Sequence, residues 1–215
     1  MKRDILLFDL DGTLTDPALG ICSCVQYALR KYGIEPGPLS EYHSWIGPPL
    51  AYSFEVKAGI PAEDSMKLVG YYRERFSEIG LFENEVYPGI PELLRDLKAK
   101  GKRMAVATGK PTVFSRRILE KFGLIELFEC VSGSELSEHS PSKHNIMLRA
   151  LAEMGVSDPA RCIMIGDRLH DAEGAASVGT DFIGVLYGYG SRQELTDAGA
   201  VKIAESVEQL RSFLL

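Results

Sequence analysis

Six short apolar runs, DILLF, RMAVATG, LFECVSG, RCIMIGD, DFIGVLYG and AVKIAES, recur along the chain, several rich in β-branched residues. Between most of them stand helical patterns. PELLRDLKAKG carries a leucine stripe and a terminal glycine, PTVFSRRILEKFG begins with proline and ends with glycine, and DPALGICSCVQYALRKYG follows the same grammar. Strands joined through helices need crossovers, which give a mainly parallel sheet with helices on both faces. The chain is therefore expected to be α/β.

One interval breaks the rhythm. From about Thr15 to Tyr87 no strand pattern stands out, only helical ones such as PAEDSMKLVGYYRERFSEIG. An insert between the first and second strands reads as a separate helical lobe. The expected division is an α/β core at 1–14 and 88–215 and a helical cap at 15–87, with LTDP and VYPG as hinges. More than half of the aromatic residues fall in the interval. A small helical lobe fills its core with such bulky side chains; Trp45, expected in a loop beside IGPPL, is the exception.

At 215 residues the chain suffices for one large domain or for a core carrying an insert. A net charge of −6 argues against a nucleic-acid polymer as partner, since such binders show a basic face. Lys2 and Arg3 followed by apolar residues faintly mimic a signal peptide, but Asp9 and Asp11 cut the run short, and no stretch reaches the roughly 20 apolar residues of a membrane span. A cytoplasmic protein is expected. Cys22, Cys24, Cys130 and Cys162 are scattered, as suits reduced thiols, and residues two apart on a helix do not face each other. His43, His139, His144 and His170 show no zinc-ligand spacing with them.

In open parallel sheets ligands sit beyond the carboxyl ends of the strands. Those ends offer Asp9, Asp11, Gly12 and Thr13, then Thr108, Gly109 and Lys110, then Gly166, Asp167 and Asp171, while Lys143 opens the helix before the strand that ends at Asp167. Carboxylates in such numbers repel one another unless a hard cation holds them, and Mg²⁺ favours one or two carboxylates with waters and a phosphate. Lysine and the Thr-Gly amides supply the positive side of a phosphate cradle. Lys143 sits in the first helical turn, where the macrodipole disfavours a cation; Lys110, directly after Thr-Gly, is its rival for neutralising the phosphate.

FDLDGTLTD, VATGK, the lysine of SPSK and MIGDRLHD together resemble the four motifs of the haloacid dehalogenase-like hydrolase superfamily, over essentially the whole chain. The resemblance implies a Rossmann-like sheet with a cap inserted after the first strand. It implies Asp9 as the nucleophile that forms an aspartyl-phosphate, and Asp11 as general acid and then base. It places Mg²⁺ on Asp9, the Asp11 carbonyl and Asp167, with Asp171 orienting Lys143 or metal-bound water. Gly12, Thr108, Gly109 and Lys143 are the expected phosphate contacts, with a helix N-cap as the alternative role for Thr108.

Within the superfamily the chain is most similar to the phosphoglycolate phosphatase-like branch, and WIGPPL, FENEVYPGI, TGKPTVFSRRIL and GYGSRQELTDAGA resemble its 5′-nucleotidases. SPSKHN replaces the phosphoglycolate pattern of lysine followed by Pro-x-Pro. The expected substrate is a small phosphomonoester, leaning to nucleoside 5′-monophosphates, with phosphoglycolate or a sugar phosphate as alternatives. Trp45, Gly47 and Tyr52 are the expected cap contacts, Trp45 or Tyr52 by stacking on a base. A β-phosphoglucomutase-like mutase and a receiver-like phosphoacceptor are the remaining rivals, and a dehalogenase leaves Asp11 unexplained. A monomer or a homodimer is expected.

Overall fold

The computed structural model describes residues 3–138 and 141–215; Lys2 and His139, which entered the readings above, lie outside them. The strands are β1 (Ile5–Phe8), β2 (Thr15–Asp16), β3 (Glu85–Val86), β4 (Arg103–Pro111), β5 (Cys130–Ser134), β6 (Cys162–Gly166), β7 (Asp181–Val185) and β8 (Lys202–Ala204). Helices α1 (Ala18–Tyr32), α2 (Leu50–Ala58) and α3 (Ala62–Phe76), with a 3-10 helix at Leu39–Trp45, lie between β2 and β3. The remaining helices are α4 (Ile90–Ala99), α5 (Thr112–Lys121), α6 (Lys143–Glu153), α7 (Leu169–Val178), α8 (Arg192–Asp197) and α9 (Val207–Leu214).

All six apolar runs form strands of one parallel sheet, in the order β5-β4-β1-β6-β7-β8. Side chains alternate between two apolar layers. Leu6 and Phe8 of β1, Met104 and Val106 of β4, and Ile163 and Ile165 of β6 face one layer. Ile5 and Leu7, Ala105 and Ala107, and Cys162 and Met164 face the other. Burial on both sides explains why these strands read as unbroken apolar runs.

The helical interval contributes no strand to the parallel sheet, but its two ends pair with each other in a short ribbon. β2 and β3 pair antiparallel, Thr15 with Val86 and Asp16 with Glu85, beside LTDP and VYPG. Two residues are too few to display alternation, so the ribbon is set by its partner and not by its own pattern. Within the lobe, Tyr72 and Phe76 stack at 5.1 Å, and Arg75 grips Glu83 through two hydrogen bonds of 2.6 and 2.9 Å.

Helix α1 approaches the segment before β3 so closely that only glycine fits. The Gly20 N–H donates to the Glu83 carbonyl at 3.0 Å, and a Cβ on Gly20 would stand 2.1 Å from the Gly80 carbonyl oxygen. Both groups are backbone, so no rotamer relieves the clash. Gly20→Ala is expected to destabilise the protein by about 1–3 kcal/mol, seen as a lower urea midpoint at unchanged slope; an unaltered midpoint contradicts this packing.

The four cysteines are free and buried. Burial pushes Cys22, Cys24 and Cys162 up to about 11 and Cys130 up to about 12, so these thiols stay protonated and unreactive at neutral pH. Among the described residues no helix is long and apolar enough to cross a membrane.

Candidate active site

Chain order and strand order together locate the site. From β1 the chain moves outward through β4 and β5, then returns to the other side of β1 for β6, β7 and β8. β1 therefore sits at the point where the winding reverses, and a crevice opens beyond its carboxyl end. Phe8 pairs with both Val106 and Ile165, so the residues following these strands emerge at one level. That register brings Asp9, Thr108 and Asp167 to the same rim.

Lys143 lies at the centre of the cluster. Its Nζ donates to Asp9 Oδ1 at 2.7 Å and to the Ala107 carbonyl at 3.0 Å, and stands 2.6 Å from Asp171 Oδ1. Burial opposes the charge, but Asp171 and Asp9 outweigh it and hold the ammonium above the ordinary lysine range. The Ser142 hydroxyl caps α6 by accepting from the Asn145 N–H, and so fixes where Lys143 emerges.

Asp9, Asp167 and Asp171 each offer an oxygen within 4.8 Å of the others. Asp167 is 1% exposed; its Oδ2 accepts the Tyr189 N–H at 2.8 Å, whereas its buried Oδ1 has no hydrogen-bond partner among the described residues. Burial, with Asp171 and Asp9 nearby, raises its carboxyl well above the usual range. Crowded acids with an orphaned oxygen are the donor set that a hard divalent cation stabilises. Asp171 is raised by burial, with Lys143 opposing, and its Oδ2 accepts the Arg168 N–H at 3.1 Å.

Close approach at this rim depends on glycine. Gly12 has φ +84°, and a Cβ there would lie 2.2 Å from Asp167 Oδ2. Its N–H already donates to the Thr15 carbonyl at 2.8 Å, so Gly12 shapes the turn and has no amide to offer a phosphate. Cβ atoms on Gly188 and Gly190 would strike the Gly12 carbonyl at 2.2 Å and the Asp167 carbonyl at 1.9 Å. Tyr189, between them, also gives its phenol to Asp16 of β2, linking the metal-type carboxylate to the ribbon at the lobe boundary. Tyr189 belongs to the GYGSRQELTDAGA stretch, and the glycines on either side of it are the local signal of this close approach.

Asp11 is held differently. Its Oδ2 accepts from Lys110 Nζ at 2.6 Å, and that ammonium rests 4.7 Å from the Phe76 ring of α3. Burial raises Asp11 despite the opposing lysine, and its Oδ1 is orphaned. The rival lysines thus have separate partners, Lys143 with Asp9 and Asp171, and Lys110 with Asp11. Thr108 and Gly109 line the same cavity; α5 is capped by Pro111 and not by Thr108, which removes the N-cap role.

A cavity of about 520 Å³ lies between this rim and the helical interval. Trp45 and Gly47 line it. Trp45 ends the 3-10 helix instead of lying in a loop, is 4% exposed, and meets Tyr42 and Phe54 edge to face, so it also belongs to the lobe's core. Tyr52 is half exposed on α2 and is not part of the cavity wall, which leaves it no base to stack on there. Two arginines of the wall stand outside the contacts expected from the sequence. Arg168 Nη1 donates to the Ile46 carbonyl at 2.6 Å while its Nε donates to Glu194 at 2.9 Å, tying the Trp45–Gly47 segment to the start of α7. Arg73, on α3, is the other.

A six-stranded parallel sheet with a buried acid cluster at its switch point, a lysine threaded among the acids and a helical lobe above defines a class of α/β hydrolases. The sequence matches the model of the haloacid dehalogenase-like hydrolase family over residues 6–185, and the chain belongs to that family. It is 44% identical over 190 residues to a 5′-nucleotidase of Pseudomonas aeruginosa, covering 88% of this chain and 86% of that protein. It is 36% identical over 214 residues to a Mycobacterium tuberculosis protein named tyrosine-protein kinase PtkA, covering 98% and 72%. The crystal structure of a predicted phosphatase from Clostridium acetobutylicum superposes with a TM-score of 0.95 at 42% identity, over 100% of this chain and 99% of that one.

Proposed function

We propose that this hydrolase is a Mg²⁺-dependent phosphomonoesterase that works through an aspartyl-phosphate on Asp9, with 1–14 and 88–215 as catalytic core and 15–87 as cap. The observation that carries the reading is Lys143 held 2.7 Å from Asp9 and 2.6 Å from Asp171 at the sheet's switch point. A lysine so placed neutralises charge arriving beside a nucleophilic carboxylate.

In the first step an Asp9 oxygen forms a bond to phosphorus as the ester P–O bond breaks, and Asp11 gives its proton to the departing oxygen. In the second, Asp11 takes a proton from water, the water oxygen attacks phosphorus, and the Asp9–phosphorus bond breaks to regenerate the carboxylate. Thr108, the Gly109 amide and Lys143 bind the transferring phosphoryl oxygens. Asp9, Asp167 and the Asp11 carbonyl would hold Mg²⁺, with Asp171 orienting Lys143. The bound ion supplies charge neutralisation at the phosphoryl group; the orphaned Asp167 Oδ1 supports that assignment.

For the substrate we favour nucleoside 5′-monophosphates. The 44% identity to a 5′-nucleotidase supports this, as does a cavity of about 520 Å³ with apolar wall residues such as Leu50, Met66 and Val69, roomier than a two-carbon acid needs. The test is phosphate release across nucleoside monophosphates, sugar phosphates and phosphoglycolate, with Mg²⁺ and with EDTA. Nucleotides should turn over fastest, and EDTA should suppress release by at least about 100-fold, a loss of about 2.7 kcal/mol in transition-state stabilisation. Isomerised phosphate ester without free phosphate indicates a mutase; a phosphoprotein stable for minutes indicates a phosphoacceptor.

A further inference from the structure

Arg73 is an arginine that lines the cavity and is neither exposed nor paired. Other arginines have visible duties: Arg75 binds Glu83, Arg117 donates to the Ser77 carbonyl, Arg168 binds Glu194 and the Ile46 carbonyl, and Arg149 donates to the Gly133 carbonyl. Arg73 has no hydrogen-bond or ion-pair partner among the described residues, although it is part of the cavity wall and half-buried. Its neighbours one turn away on α3, Val69 and Phe76, line the wall too, as does Met66 two turns back. A single guanidinium thus interrupts an apolar helical stripe. Burial lowers its pKa, but a guanidinium keeps its proton in proteins, so a half-buried charge stands here without a partner.

We propose that Arg73 is a specificity residue that grips the leaving group of the substrate through two adjacent acceptor atoms. The guanidinium is a planar fork of donors that fits paired acceptors better than a single one. A carboxylate offers such a pair, and so does the N7/O6 edge of a 6-oxopurine. Adenine presents a donor beside N7 and does not fit. The phosphoryl group itself is served by Lys143 and Thr108 on the core, so Arg73, on the opposite wall, acts on the other end of the molecule. The inference rests on the phosphomonoesterase reading and extends it to the class of leaving group.

The experiment measures kcat/KM of the wild-type protein, Arg73→Met and Arg73→Lys with GMP, AMP, phosphoglycolate and phenyl phosphate. Phenyl phosphate carries no acceptor on its leaving group. Methionine keeps an apolar stem against Val69 and Phe76, and matching melting curves check that each variant is folded. For whichever acceptor-bearing substrate the wild type prefers, Arg73→Met should lose about 10- to 100-fold, the value of one or two charge-assisted hydrogen bonds. The loss should fall mainly on KM, because the contact is equal in ground and transition states, while phenyl phosphate hydrolysis stays within about twofold. Partial rescue by lysine identifies the carboxylate, since a point charge suffices there; no rescue identifies the oxopurine edge. Equal losses on all four substrates, or none on GMP and phosphoglycolate, overturn the proposal and leave the phosphatase reading standing. Absence of phosphate release by the wild type from all four substrates overturns both.

Discussion

Asp9→Asn should remove phosphatase activity almost completely, by at least about 10⁴-fold in kcat, which corresponds to about 5.5 kcal/mol of barrier. The substitution keeps the shape of the side chain and removes only its capacity to form the acyl-phosphate bond. Binding of the phosphate by Thr108 and Lys143 should survive, so the loss is in kcat. Folding should survive as well. Lys143 retains Asp171 at 2.6 Å, and the neighbouring carboxylates Asp167 and Asp171 lose one negative neighbour. A melting temperature equal to or above that of the wild type, with no turnover of phenyl phosphate, is the expected pair of results. Phosphate-mimicking beryllium fluoride should form an adduct on the wild-type Asp9 and none in the variant. Substantial residual turnover would move the nucleophile elsewhere.

Much of this site is legible in the sequence because acidic residues at the tips of apolar strands are expensive unless they are used. The strand runs gave the sheet, since burial on both faces leaves a continuous apolar signature at Leu6–Phe8, Met104–Ala107 and Ile163–Ile165. What stayed hidden depends on long-range approach. Tyr189 meets Asp167 and Asp16 from positions 22 and 173 residues away in sequence, and no local pattern encodes such a meeting. Arg168 reaches the Ile46 carbonyl across 122 residues. Arg73 stands among other charges in the sequence of α3, and only the cavity beside it shows that it lies on the apolar stripe. Tyr52 departs in the other direction: it lies in the first turn of α2, half exposed and not on the cavity wall, a placement its sequence neighbours do not encode.

Removing the two lysines one at a time separates their roles, and Lys143→Ala should be much the more damaging. Lys143 compensates Asp9 and Asp171 together in a buried setting, so its loss strands two carboxylates with no cation. Breaking such an arrangement costs about 3–5 kcal/mol of stability, and the lost charge at the phosphoryl position costs about 10²–10³-fold in kcat. Lys110 compensates Asp11 alone, so its loss leaves one carboxylate uncompensated where the loss of Lys143 leaves two. Lys110→Ala should therefore destabilise less and reduce turnover by about tenfold, mainly by freeing Asp11 from its fixed position against the Phe76 side. Lys143→Arg, which keeps the positive charge, separates misfolding from lost chemistry: it should recover much of the melting temperature but little of the rate, because the guanidinium cannot reproduce the close Asp9–Ala107–Asp171 contacts of an ammonium. A larger loss of rate at Lys110 than at Lys143, in variants shown to be folded, would transfer the phosphate-neutralising role to Lys110 and reverse the assignment of both residues.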